Sequence, residues 1–200
     1  MNIRARLSQA KGETSGLGGL GQRAAIGGLC LAGIGVSIFA APGLAGLAGA
    51  ALALNMLAIA VIDWRLFIIP DELNALALAL GLLAAGFDDR GDKLTLALDA
   101  AIRGATMAAL FFIFRLAYRR LRGREGMGLG DVKLAAVAGV WLDWPSLPIA
   151  VEIASLAALA FVLSRHIQAR RALDPLTKLP FGAFFAPAIW ICWALARWWG

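Results

Sequence analysis

Gly126-Met127-Gly128-Leu129-Gly130-Asp131-Val132-Lys133 places a carboxylate directly after three alternating glycines, where a strongly basic loop gives way to an apolar segment. A charge within a membrane helix costs about 2.5–3.5 kcal/mol on insertion scales, so an acid at such a boundary needs a reason. Glycine at every second position lets another backbone come close. The stretch reads as the start of a membrane-embedded helix and as a place where a peptide chain meets an acid.

Outward from it, the chain is dominated by apolar residues. Of 200 residues, 60% are apolar and the mean hydropathy is +0.76, against about 45–50% apolar in a soluble domain. Several runs reach the ~20 residues that cross a bilayer, so the fold class is all-α, a polytopic transmembrane helix bundle. The two cysteines, Cys30 and Cys192, sit inside apolar runs, and His166 is the one histidine. Neither disulfide nor zinc spacing exists, and no metal or cofactor is expected. No secretory signal peptide is evident, because the polar N-terminus is too long and lacks a cleavage site after a short apolar core.

Gly and Pro punctuate the apolar runs and delimit seven spans, at about 24–41, 44–62, 73–87, 94–114, 132–141, 147–163 and 181–199. The third and fifth are short, which makes six spans the alternative. Residues 1–23 are polar and Gly-rich and read as a flexible cytoplasmic tail; residues 24–200 form the transmembrane domain.

The net charge of +6 reports topology. Positive loops stay cytoplasmic. With seven spans, Arg4, Arg6, Lys11 and Arg23, then Arg65, then Arg115, Arg119, Arg120, Arg122, Arg124 and Lys133, then Arg165, Arg170, Arg171 and Lys178 all fall on one face. The opposite face receives Arg90, Lys93 and Arg197 with Asp88, Asp89 and Asp92. The N-terminus is therefore expected in the cytoplasm, and no nucleic-acid partner is expected.

Asp63 ends the second span and Asp131 opens the fifth, so two spans separate them and both return to the same face. Two close carboxylates share a proton and titrate as a unit. One ionised and one protonated acid is the arrangement that activates water and polarises a carbonyl in aspartic proteases. The competing structural readings are that Asp63 pairs with Arg65 and that Asp131 caps a helix N-terminus, where anions are favoured. Asp71 and Glu72, after Pro70, read as helix-start acids. If Asp63 to Asp71 were helical they would stand ~12 Å apart, too far for a water-activating pair. Arg103 and Glu152, both inside spans, suggest a mutual ion pair. His166 reads as an exposed loop residue. The loop from Arg115 to Gly130 reads as mobile, a gate that moves Asp131 toward Asp63.

These residues resemble the type IV prepilin peptidases, membrane aspartic peptidases of the Gly-x-Gly-Asp type. The resemblance rests on Gly126 to Leu134, on Asp63 standing eight residues before the Pro70-Asp71 pair, and on Leu179-Pro180-Phe181-Gly182-Ala183-Phe184, where Ala183 replaces the family's usual proline. It covers roughly Ala40 to the end. It implies catalytic roles for Asp63 and Asp131, with Gly126, Gly128, Gly130 and Lys133 as supporting motif residues. The activity implied is endopeptidase cleavage of the basic leader of type IV prepilins or pseudopilins at the cytoplasmic face of a bacterial inner membrane. The lipid bilayer is the other partner, with a homo-oligomer left open. Longer family members carry a cysteine tetrad and also methylate the product; the N-terminal stretch here has no such cysteines, so the short form without methyltransferase activity is expected. A presenilin-like protease would want a tyrosine before the first acid, where Ile62 stands, and a late Pro-Ala-Leu, where Pro180-Phe181-Gly182 stands. A transporter with paired aspartates would want repeats and midplane charges, which the sequence lacks.

Overall fold

The computed structural model describes residues 17–86, 91–169 and 179–199. The polar stretch up to residue 16, the outer turn at Asp88, Asp89 and Arg90, and Arg170, Arg171 and Lys178 lie outside the described residues. Within them the chain is all-helical: α1 (Leu17–Ala40), α2 (Leu44–Leu66), α3 (Asp71–Gly86), α4 (Lys93–Arg122), α5 (Leu129–Trp141), α6 (Ser146–Ala169) and α7 (Gly182–Trp199). Four of them, α1, α2, α4 and α6, are long and apolar enough to cross a membrane. Leu31, Phe39, Ile102, Ile113, Phe114 and Leu159 are exposed along these helices, the outward apolar surface that lipid requires. The protein is a membrane helix bundle.

The helices are placed by where their small residues fall. In α2 the buried stripe runs Gly46, Gly49, Ala53, Met56, Ala60, Asp63, the three-four spacing of one helix face. Asp63 is the last member of that stripe, so the face that packs the helix also carries the acid inward. In α5 nearly every side is buried, through Val132, Leu134, Ala135, Val137, Ala138, Gly139 and Val140. At 13 residues this helix is about 20 Å long, shorter than the bilayer core. It is the central helix of the bundle, packed against α3, α4 and α7.

Backbones touch around it, as small residues permit in lipid. A Cβ on Gly139 would lie 2.6 Å from the Gly104 Cα and closer still to the Arg103 carbonyl oxygen; one on Gly104 would lie 2.8 Å from Val140 Cγ2. Trp141 Nε1 donates to the Ala77 carbonyl of α3 at 2.8 Å, and Trp193 of α7 packs edge-on to Trp141.

Several expectations are corrected. Helix α4 does not end near Phe114 but runs to Arg122, because arginine and leucine sustain a helix after the apolar pattern stops. The long loop expected from Arg115 shrinks to Gly123–Gly128, where Gly123 caps α4 with φ 66° and donates to the Arg119 carbonyl. That loop is tied down: Arg115 Nε donates to the Met127 carbonyl at 3.0 Å, Arg115 Nη2 meets Glu125 at 2.8 Å, and Gly126 lies against the Tyr118 ring. Arg103 pairs with Asp99, not Glu152, and its Nε donates to the Gly139 carbonyl at 3.2 Å. Glu152 is exposed and His166 lies on α6 rather than in a loop. Helix α1 begins at Leu17, inside the stretch expected to be loose.

Gly139→Ala should destabilise the bundle by about 1–3 kcal/mol, the usual cost of overpacking. Gly35→Ala, with nothing within 4 Å of the added carbon, should stay within about 0.5 kcal/mol of wild type. Thermal unfolding of the two variants in detergent measures the difference.

Candidate active site

Four helix ends converge at one end of the bundle: the last turn of α2 with Asp63, and the first turns of α3, α5 and α7 with Asp71, Asp131 and Gly182. Asp63 is buried at 6% exposure. Its Oδ2 accepts the Ala183 N–H at 2.9 Å, one of the donors that a helix N-terminus leaves without an intrahelical partner. The competing pairing of Asp63 with Arg65 does not form among the described residues. The donor sits at the position where the chain carries alanine in place of the family pattern's proline, and proline has no N–H to give.

Asp131 is half-buried in the first turn of α5. Gly128 N–H donates to its Oδ2 at 3.2 Å, so it does cap its helix, reaching back from the third helical position as capping-box acids do. Burial, with the negative charge of Asp63 as the second cause, pushes the Asp131 carboxyl from 3.8 up to about 6. The structure thus brings the two acids within electrostatic reach. Gly182, beside one acid, and Gly130, beside the other, both pack against the Ile69 side chain.

Lys133 Nζ meets Asp71 Oδ1 at 2.6 Å, tying α5 to α3 across 62 residues of sequence. Both side chains are largely exposed, so this is a surface brace. Asp71 is engaged there, in an exposed ion pair. Beside the site an open groove of about 190 Å³ runs between Ile26 of α1, Ala60 and Trp64 of α2, and Ala183 of α7. Among the described residues no three of His, Cys, Asp and Glu come together to hold a metal ion.

A helical membrane protein with two interacting acids at one end of the bundle is the class that fold and site define. Residues 50–163 match the type IV leader peptidase family, and the chain belongs to that family. Three curated relatives carry the name prepilin leader peptidase/N-methyltransferase. The one from Aeromonas hydrophila is 35% identical over 180 residues, covering 82% of this chain and 56% of the relative. Those from Pseudomonas aeruginosa and Burkholderia pseudomallei are 37% and 38% identical, each over 72% of this chain and over 48% and 45% of their own lengths. The chain spans about half the length of the curated relatives it matches. No solved structure matches it.

With the Asp131 value raised in the folded protein, the folded state binds the extra proton. Its contribution to stability is full below about pH 4 and is lost as pH rises through about 6. Asp131→Asn keeps an acceptor for the Gly128 amide and removes the ionisation. The variant should melt at the wild-type temperature near about pH 4 and several degrees above it near about pH 8, measured by thermal unfolding in detergent.

Proposed function

We propose that this chain is an aspartic endopeptidase that removes the leader peptide from type IV prepilins or pseudopilins, with Asp63 and Asp131 as the catalytic pair. The observation that carries the reading is geometric: Gly182, beside Asp63, and Gly130, beside Asp131, pack against the same Ile69 side chain, so the two acids flank one turn at one end of the bundle. We assign Asp63 as the ionised member in the reacting form, because the Ala183 amide it accepts favours a carboxylate. Asp131, raised to about 6, is assigned as the member that holds the proton. A water molecule between them gives a proton to Asp63 as its oxygen attacks the scissile carbonyl carbon. Asp131 donates a hydrogen bond, then its proton, to the carbonyl oxygen. As the tetrahedral intermediate collapses, the C–N bond breaks, the leaving amine takes the proton held by Asp63, and Asp131 recovers its own from the gem-diol. No cofactor is required for these steps.

The basic residues support the side of the membrane. Arg65, Arg119, Arg120, Arg122, Arg124 and Lys133 are exposed at the end of the bundle that carries the acids, and positive ends stay cytoplasmic. The site then faces the cytoplasm at the inner membrane of a bacterium, where a basic leader meets the apolar helix that follows it. The groove ending at Ala183 gives an extended peptide an approach to Asp63.

Co-expression with a prepilin from the same genome, followed by mass spectrometry of the product N-terminus, tests the reading and also reports any methylation. Asp63→Asn and Asp131→Asn should each lower cleavage at least about 100-fold, the lower end of an acid–base contribution. Asp71→Asn, which loses only an exposed ion pair, should stay within about fivefold of wild type. Undiminished cleavage by either of the first two variants removes the pair from the mechanism.

A further inference from the structure

The proteolytic scheme makes no use of the turn Phe67–Pro70 between α2 and α3, yet this turn lies between the two acids. Ile69 is its buried member, at 9% exposure, beside a Phe67 that is 52% exposed. A Cβ built on Gly130 would lie 3.0 Å from Ile69 Cβ and 3.3 Å from Cγ1. One built on Gly182 would lie 2.6 Å from Ile69 Cδ1 and 2.9 Å from Asp63 Oδ2. Glycines on two separate helices, each adjoining one of the acid sites, therefore leave their space to a single branched side chain. The turn is held at both ends. Phe67, in the left-handed region at φ 54°, donates its N–H to the Asp63 carbonyl at 2.9 Å, and Asp71 is held by Lys133 at 2.6 Å. A non-glycine residue is strained in that region, and here the strain accompanies the delivery of Ile69 to the interior.

We propose that Ile69 is a positioning residue, an apolar wedge that sets the spacing of the helix ends carrying Asp63 and Asp131 and keeps water from the space beside Asp131. The proposal rests on the reading of those acids as the peptidase pair. A wedge of this kind maintains the dryness that holds a carboxyl in its protonated form at near-neutral pH. Charged groups lie on each element around α5 except the first turn of α7, and Glu72 of α3, Arg122 of α4 and Arg124 of the loop after it are exposed. Asp63 comes from α2, and the Asp71–Lys133 brace joins α3 to α5. From α4 and its following loop come Arg115, Arg119 and Glu125, paired with one another. Arg103 and Asp99 sit at the far end of α5 beside Gly139, and the first turn of α7, Gly182–Phe185, carries no charge. None of these is altered by a change at Ile69.

The test is the pH profile of prepilin cleavage in detergent micelles for wild type, Ile69→Val, Ile69→Thr and Ile69→Ala. Valine and threonine have the same shape and differ by a hydroxyl, so their comparison separates water access from packing. The alkaline limb, where Asp131 gives up its proton, should move down by roughly one pH unit in Ile69→Thr and Ile69→Ala. It should hold its wild-type position in Ile69→Val. Limbs that coincide for valine and threonine, or a rate lowered by one factor at all pH values, overturn the proposal. A second arm covers variants that fail to accumulate in the membrane. Gly130→Ala, which pushes on the wedge, should lose at least about tenfold in rate, and adding Ile69→Ala should recover most of that loss; no recovery also overturns it. Wild-type protein that cleaves no prepilin would end the peptidase reading and the wedge's role together. Active wild type with an unmoved limb ends the wedge alone.

Discussion

The carboxylate of Asp63 lies buried in the last turn of an apolar helix, and a backbone amide 120 residues further along the chain meets it there. Taking an acid out of water is costly unless hydrogen bonds replace what water gave. The first turn of a helix offers such donors with no rearrangement, because its amides have no partners within the helix. The Ala183 bond therefore does two things at once. It satisfies the acid, and it fixes the start of α7 against the end of α2. Gly182 must then pass so near Asp63 Oδ2 that a side chain there would collide with it. The Pro180-Phe181-Gly182-Ala183 stretch is half of the Asp63 site, with the acid itself as the other half.

The position of Asp131 depends on a helix that could not cross a membrane by itself. At 13 residues, α5 stays inside because protein surrounds it, and the surrounding helices approach closely because glycines meet at Gly104 and Gly139 and at Gly81 with Trp141. Those contacts fix α5 along its axis. Its N-terminus opens at the same end as Asp63, and its first-turn acid, placed where a helix N-terminus favours negative charge, still feels the charge of its neighbour. Helix stabilisation of the anion and repulsion between anions oppose each other here. Burial is the larger effect raising the Asp131 value, repulsion from Asp63 the second, and together they outweigh the stabilisation by the helix N-terminus and the Gly128 amide.

Much of this was legible in the sequence, for a definable reason. Hydrophobic runs with Gly and Pro at their ends mark the helices, and the two helices between Asp63 and Asp131 return both acids to one end. The inward face of α2, from Gly46 to Asp63, is not legible, because the helix is apolar on nearly every side. What else was not legible comes from long sequence separation. Nothing local marks Lys133 as the partner of Asp71, or Ile69 as the neighbour of both Gly130 and Gly182. Two charges inside spans suggest an Arg103–Glu152 pair, yet Asp99, one turn away in the same helix, is the partner of Arg103; the four-residue spacing is the better guide. The end of α4 is not legible because the hydrophobic pattern marks only where lipid stops. The helix continues beyond that point, through arginines exposed to water.

The three alternating glycines before Asp131 also separate into distinct tasks. Gly126 lets the connecting loop lie flat on the Tyr118 ring at the end of α4. Gly128 begins α5 and gives its N–H to the acid three residues on. Gly130 clears space for Ile69. Only the second of these touches the carboxylate. The first holds the loop that delivers α5, and the third admits an apolar group that raises the cost of ionising the acid beside it. A motif that reads as one signal in the sequence is thus three steric permissions, each granted to a different neighbour. Loss of any one would move Asp131 by a different route: through the loop, through the cap, or through the solvent around it.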